Sequence, residues 1–100
     1  MPRMEEVGLF EYKIFETDTF ISNIDNIQAD LRNKMYEKLL NYVYPQMKQN
    51  PFYGPNIKKL KNYEPPTWRY RIGNYRLFYE IDKADKVISI TSFEIRDKAY

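Results

Sequence analysis

The sequence predicts an α+β domain: a small, mainly antiparallel sheet of about four strands with an N-terminal helical hairpin packed on one face. Three observations lead there. One strand-like segment precedes two stretches whose apolar residues recur at three- and four-residue spacing. Three strand-like segments then follow, linked by hairpin-sized turns. The length of 100 residues allows one hydrophobic core and is too short for two, so residues 1–100 read as a single domain.

Glu11 to Phe15 alternates polar and apolar residues and reads as the first strand. Thr17-Asp18-Thr19 supplies N-cap chemistry, and a short amphipathic helix is expected from about Asp18, carrying Phe20, Ile24 and Ile27 on one side. A longer helix is expected from about Gln28 to Lys48. Leu31, Met35, Leu39, Val43 and Met47 repeat every four residues there, with Tyr36 and Leu40 widening the stripe, which reads as core. Pro45 should kink this helix or end it early, because proline removes one backbone donor and clashes with the preceding turn.

Residues 49–56 are turn-rich and form a loop. Lys58 to Tyr63 is either a short strand or an extended connection, ended by Pro65-Pro66. Trp68 to Ile72 and Tyr75 to Ile81 are the second and third strands, and Gly73-Asn74 between them fits a two-residue hairpin turn that needs positive φ. Asp82 to Asp85 makes the next turn, and Val87 to Phe93 the fourth strand. Arg96 to Tyr100 is too short for a helix that stands alone.

Composition narrows the chemistry. There is no cysteine and no histidine, which removes disulfides, thiolate and imidazole metal sites, the serine–histidine triad and the usual general base. No metal and no cofactor is expected. No apolar run approaches the roughly 20 residues that span a membrane, and no signal-peptide pattern opens the chain, so the expected setting is the cytoplasm without a membrane partner. Met1-Pro-Arg-Met4 leaves either methionine as the natural start. Ten tyrosines and six phenylalanines supply large buried area, and aromatic rings also stack on nucleic-acid bases.

The net charge is only +2, yet the charge is clustered. From Ile57 to Arg76 there are six cations (Lys58, Lys59, Lys61, Arg69, Arg71, Arg76) against one anion, Glu64. Such a local excess suits phosphate. With regular pleating, Arg69, Arg71 and Arg76 share one sheet face, while Trp68, Tyr70, Tyr75, Leu77 and Tyr79 pack toward the helices. Plainer readings stand beside this one. Alternating arginines also serve as solvated surface; Lys58, Lys59 and Lys61 also serve solubility; Glu80 also serves as a cross-strand partner for an arginine.

Asn50-Pro51, Lys58-Lys-Leu-Lys61, Trp68-Arg-Tyr-Arg-Ile-Gly-Asn-Tyr-Arg-Leu-Phe-Tyr-Glu-Ile81 and the terminal Arg96-Asp-Lys-Ala-Tyr100 together resemble the RelE/ParE toxin superfamily over about Tyr12 to Tyr100. The RelE branch consists of toxins of toxin–antitoxin pairs that cut mRNA, commonly on the ribosome; the ParE branch shares the fold and poisons DNA gyrase. The resemblance to the RelE branch implies a catalytic set of Arg69, Arg71, Arg76, Arg96 and Tyr100. It also implies an antitoxin, mRNA and the ribosome as partners. Some members carry a basic residue or histidine where this chain has Phe93-Glu94, which bears on the acid–base groups and leaves the phosphate site intact.

RNA is cut without metal when the 2′-oxygen attacks its own phosphodiester. Arginine suits stabilisation of the crowded phosphorus, because it stays charged and offers a planar fork of donors. Arg69, Arg71 and Arg76 are expected to hold the phosphate, with Lys58, Lys59 and Lys61 extending the RNA contact. Tyr100 would stack on a base or take part in proton transfer. Glu94 and Glu80 are the candidate carboxylates for acid–base work. The reading is a metal-independent, ribosome-dependent mRNA endoribonuclease toxin; the alternative is a ParE-like gyrase inhibitor that leaves RNA intact.

Overall fold

The computed structural model describes residues 11–95. A five-stranded sheet runs in the order β1-β5-β4-β3-β2, formed by β1 (Lys13–Glu16), β2 (Ile57–Lys59), β3 (Trp68–Ile72), β4 (Tyr75–Asp82) and β5 (Val87–Ile95). β1 pairs with β5 in parallel and every other pair is antiparallel. The α+β class and mainly antiparallel sheet agree with the sequence reading. The fifth strand is β2, from the segment that reads as either strand or connection; it adds an edge by pairing Lys58 with Arg69.

Two helical stretches cover one face. Helix α1 (Asp18–Asp25) starts at Thr17, whose Oγ1 accepts from the Phe20 amide at 3.2 Å and donates to the Ile90 carbonyl at 2.6 Å. One threonine therefore caps the helix and ties it to β5. The second stretch is continuous over its length: α2 (Ala29–Lys38), a π-helical turn (Leu39–Val43) and α3 (Tyr44–Gln49). Pro45 neither ends nor breaks it. The turn before it widens, with the Tyr44 amide bonding the Leu39 carbonyl, and Pro45 sits in the first turn of α3, where a missing donor costs little.

The π turn also corrects the expected core stripe. Apolar residues four apart drift about 40° per step around an α-helix of 3.6 residues per turn. The widened turn takes up that drift, so Leu39, Val43 and Met47 are all buried. At the other end the drift is not taken up: Leu31 is exposed and Met35 only partly buried; Leu40, inside the π turn, is exposed as well. Phe20, Ile24, Leu39, Val43, Tyr44 and Met47 from the helices share the core with Trp68, Tyr70, Ile72, Tyr75, Leu77, Tyr79, Ile88, Ile90 and Phe93 from the sheet.

Buried tyrosines need partners for their hydroxyls, and the helices supply them. Tyr70 donates to Gln46 Oε1 at 2.6 Å and Tyr79 to the Pro51 carbonyl at 2.9 Å. Glu16 on β1 accepts from Tyr36 and, at 2.8 Å, from Tyr44. Burial, followed by that carboxylate, pushes both phenols above their ordinary range.

Candidate functional site

The helices leave the opposite face of the sheet open, and pairing register decides what stands on it. β3 and β4 meet without irregularity, so Arg69 lies opposite Phe78 and Arg71 directly opposite Arg76. The hairpin between them turns at Gly73, whose φ is +55°, as in a turn with glycine at its first central position. Asn74 has no positive φ, so one glycine meets the requirement. The three strand arginines thus share a face, as pleating predicts.

β4 and β5 pair with a bulge. Phe78 faces Ser92 while Tyr79 faces Ile90, which leaves Thr91 as the extra residue. The bulge exchanges the two faces of β5. Ile88 and Ile90 point to the core before it and Phe93 after it, and all three are buried. Asn23 Oδ1 on α1 accepts the Phe93 amide at 2.9 Å beside the irregularity. Because of this exchange, Ser92 and Glu94 stand on the open face, and Glu94 faces Arg76.

Two rows result. Arg71, Arg76 and Glu94 run across β3, β4 and β5; Lys58, Arg69, Phe78 and Ser92 run across β2 to β5. Directly opposed residues have Cβ atoms about 5 Å apart, so each row holds a pair of like charges at close range. Arg71 and Lys58 are exposed, Arg69 and Arg76 half-buried. Arg69 Nη1 donates to the Asn56 carbonyl at 3.0 Å, which draws its guanidinium toward the β2 edge. Ser92 Oγ donates to Glu94 Oε2 at 3.3 Å.

Beside these rows lies an open cleft of about 600 Å³, walled by the loop between β2 and β3. Arg76, Phe78, Glu80, Ser92 and Glu94 line it from the sheet, and Tyr63, Glu64 and Pro65 from the loop. The site therefore has a cationic side on β2–β3 and a cleft whose charged lining is Arg76 with three carboxylates. Such a division suits a phosphodiester on the arginines with a ribose hydroxyl directed at a carboxylate. Glu94 is the better placed acceptor, since it continues the row of Arg71 and Arg76; Glu80 is half-buried one row further on.

The three lysines do not act as one group. Lys58 belongs to the open face. Lys59 points the other way, its Nζ 5.3 Å from the Trp68 ring centre, and Lys61 is exposed in the following turn. Arg96 and Tyr100 lie outside the described residues. Two contributors escape sequence reasoning: the Thr91 bulge that turns Glu94 outward, and the loop wall at Tyr63-Glu64-Pro65. The bulge leaves a trace in the alternation of β5, where the apolar positions change phase from Ile88 and Ile90 to Phe93 and Ile95 across Thr91-Ser92; the Pro65-Pro66 pair marks the loop without fixing where it packs. Among the described residues no group of three or more histidine, cysteine or acidic side chains could hold a metal ion, and no helix is long and apolar enough to cross a membrane.

A family model described as the ParE toxin of type II toxin–antitoxin systems matches residues 14–100. No curated protein sequence matches the chain. Among solved structures, the RelBE2 toxin–antitoxin complex of Mycobacterium tuberculosis is similar at 22% identity and TM-score 0.66, over 86% of this chain and 99% of that one. The archaeal RelE–RelB complex of Pyrococcus horikoshii is similar at 20% identity and TM-score 0.61, over 85% and 94%. A mutant of the Escherichia coli toxin RelE in its free state matches at 16% identity and TM-score 0.63, over 89% and 87%. These likenesses are of fold.

Proposed function

The chain belongs to the ParE toxin family of type II toxin–antitoxin systems, within the RelE/ParE superfamily, and from that premise we propose that its toxic action is the cutting of mRNA on the ribosome. One observation carries this reading: Lys58 opposite Arg69 and Arg71 opposite Arg76, two like-charge pairs in adjacent rows of one open face. Each pair costs stability across a strand. A phosphate turns that cost into binding, since each guanidinium presents a fork of donors to its oxygens.

Arg71 and Arg76 hold the scissile phosphate and stabilise charge as the 2′-oxygen attacks. Donors fixed in advance in this way are each worth about 3 kcal/mol at the transition state. Glu94, next in the row, accepts the 2′-hydroxyl proton; as the 2′-oxygen bonds to phosphorus the bond to the 5′-oxygen breaks, leaving a 2′,3′-cyclic phosphate and a 5′-hydroxyl that takes its proton from water, while Lys58 and Arg69 hold a neighbouring phosphate. Arg96 and Tyr100 join the catalytic set by resemblance to the RelE branch, with Tyr100 stacking on a base or moving a proton. No metal or cofactor enters this scheme. The partners in this reading are mRNA, the ribosome and a cognate antitoxin, and the setting is the cytoplasm. RelB–RelE pairs are what the similar mycobacterial and archaeal structures contain.

The family description favours a second reading, gyrase poisoning without RNA cleavage. The two separate in one experiment. Purified protein is added to translating ribosomes and mRNA ends are mapped, while gyrase supercoiling is assayed in parallel. New ends that vanish in Arg76→Ala support the nuclease. Intact mRNA with supercoiling blocked sinks it.

A further inference from the structure

β5 changes neighbours at its bulge. β1 pairs with it only from Val87 to Ile90, while β4 accompanies it on the other side as far as Ile95. Past Ile90, helix α1 and its cap take the place of the missing strand. The Thr17 amide closes the last rung, 3.2 Å from the Ile90 carbonyl. Its Oγ1 reaches the carbonyls of Ile90 at 2.6 Å and Thr91 at 3.4 Å. Asn23 Oδ1 then accepts the Phe93 amide at 2.9 Å. Asn23 is a polar, half-buried residue at the margin of the stripe that Phe20 and Ile24 bury. Between them, Thr17 and Asn23 bracket Thr91 and Ser92.

We propose that Asn23 is a positioning residue for RNA cleavage, holding Glu94 in the row of Arg71 and Arg76 by fixing the bulge. The inference rests on the nuclease reading for the role of Glu94. Its basis is the direction of one amide. Along a strand, backbone groups turn alternately to its two neighbours, and the Ile90 carbonyl turns away from β4 to Thr17. Unbroken alternation from Ile90 would therefore aim the Phe93 amide at β4, with Phe93 opposite Arg76 and Glu94 opposite Tyr75. The extra residue reverses this. Phe93 stands opposite Leu77 and Glu94 opposite Arg76, and the Phe93 amide points to Asn23. The Asn23 bond thus belongs only to the register that turns Glu94 outward. Burial of the Phe93 ring, stacked on Tyr75 at 4.9 Å and edge-on to Phe20 at 6.3 Å, favours the same register. The fold therefore does not depend on Asn23 alone. Asn23 adds a fixed backbone path beside the carboxylate. A general base must lie within hydrogen-bond reach of its proton, and a displacement of about 1 Å can cost roughly 10²-fold in rate.

The test compares Asn23→Ala and Asn23→Asp in the full chain, each alone and combined with Glu94→Gln. Two readouts are taken: single-turnover cleavage on translating ribosomes, and residue-resolved amide exchange by NMR. Asn23→Ala should slow cleavage at saturating protein by about tenfold or more. The protein concentration giving half the maximal rate should move by less than about twofold, because Asn23 orients a base and binds no RNA. Asn23→Asp keeps an oxygen for the Phe93 amide and should cut within about threefold of the parent. On the Glu94→Gln background, Asn23→Ala should slow the residual rate by less than about twofold, since residues acting as a unit are not additive. The Phe93 amide should exchange at least about tenfold faster in Asn23→Ala and keep its protection in Asn23→Asp. Unchanged Phe93 exchange in Asn23→Ala would overturn the proposal. So would a tenfold loss that persists without the Glu94 carboxylate, which marks a general structural role. An inert parent whose Phe93 protection still needs Asn23 removes the nuclease reading and keeps the clasp; cleavage indifferent to Asn23 does the reverse.

Discussion

Arg71→Gln separates stability from function at the candidate site. Arg71 is exposed on β3 and directly opposite Arg76 on β4. Directly opposed like charges cost roughly 0.2–1 kcal/mol. Glutamine keeps much of the stem and removes the charge, so the variant should recover part of that cost. For a domain of about this length, 1 kcal/mol is roughly 4–8 °C in Tm, so Arg71→Gln should melt from level with the parent to a few degrees above it. The gain should shrink with salt, since the screening length falls from about 30 Å at 0.01 M to about 10 Å at 0.1 M. On the proposed nuclease reading, the same substitution removes one fixed donor from the phosphate and should slow cleavage on translating ribosomes by about 10²–10³. Thermal unfolding followed by circular dichroism at two salt concentrations gives the first number, and single-turnover end mapping the second. A loss of more than about 5 °C at low salt would show that Arg71 holds the fold together. Cleavage within twofold of the parent would remove it from the site.

Three further outcomes follow from geometry already described. Gly73→Ala meets no neighbouring atom within 4 Å but must hold a φ of +55°, so it should cost roughly 1–2 kcal/mol, read as a lowered urea midpoint with unchanged m-value. Leu77→Ala empties a fully buried position in the central strand and should cost about 2–5 kcal/mol in the same assay. Tyr36, Tyr44 and Tyr79 have phenols held above their ordinary value of 10.0, in each case first by burial. The folded protein therefore keeps protons that the unfolded chain gives up above pH 10, and stability that is intact below pH 10 should fall as pH rises beyond it. Tyr44→Phe should flatten that fall in Tm measured from pH 9 to 12; an unchanged slope would exclude the Glu16 cluster as its source.

How far the sequence discloses this molecule depends on which physical rule each element obeys. The β3–β4 hairpin obeys the simplest one, period-two alternation with a glycine at the turn, and Arg69, Arg71 and Arg76 share a face as that rule requires. The second helical stretch obeys a composite rule. Its four-residue stripe is too long in period for an α-helix and is buried at Leu39, Val43 and Met47 because a π turn precedes Pro45, while Leu31, before that turn, ends up in solvent. β2 is three residues long and holds its place through pairing with β3, a tertiary effect that local composition leaves open. Glu94 stands between these cases. An extra residue in β5 fixes its side of the sheet, and the phase change from Ile88 and Ile90 to Phe93 and Ile95 is the sequence trace of that residue, whereas unbroken alternation from Ile88 would turn Glu94 toward the helices.

The parallel pairing of β1 with β5 bears on when the chain becomes dangerous to its maker. Thr17 and Ile90, joined by a side-chain hydrogen bond, are 73 residues apart in sequence, whereas the cationic hairpin closes over neighbours. Local contacts form early and distant ones late, and synthesis itself adds only about 5–20 residues per second. A ribosome making this protein therefore releases the arginine hairpin first. Glu94, the bulge and the docking point of β1 all arrive with the final strand, so the cleft is completed only as β5 follows.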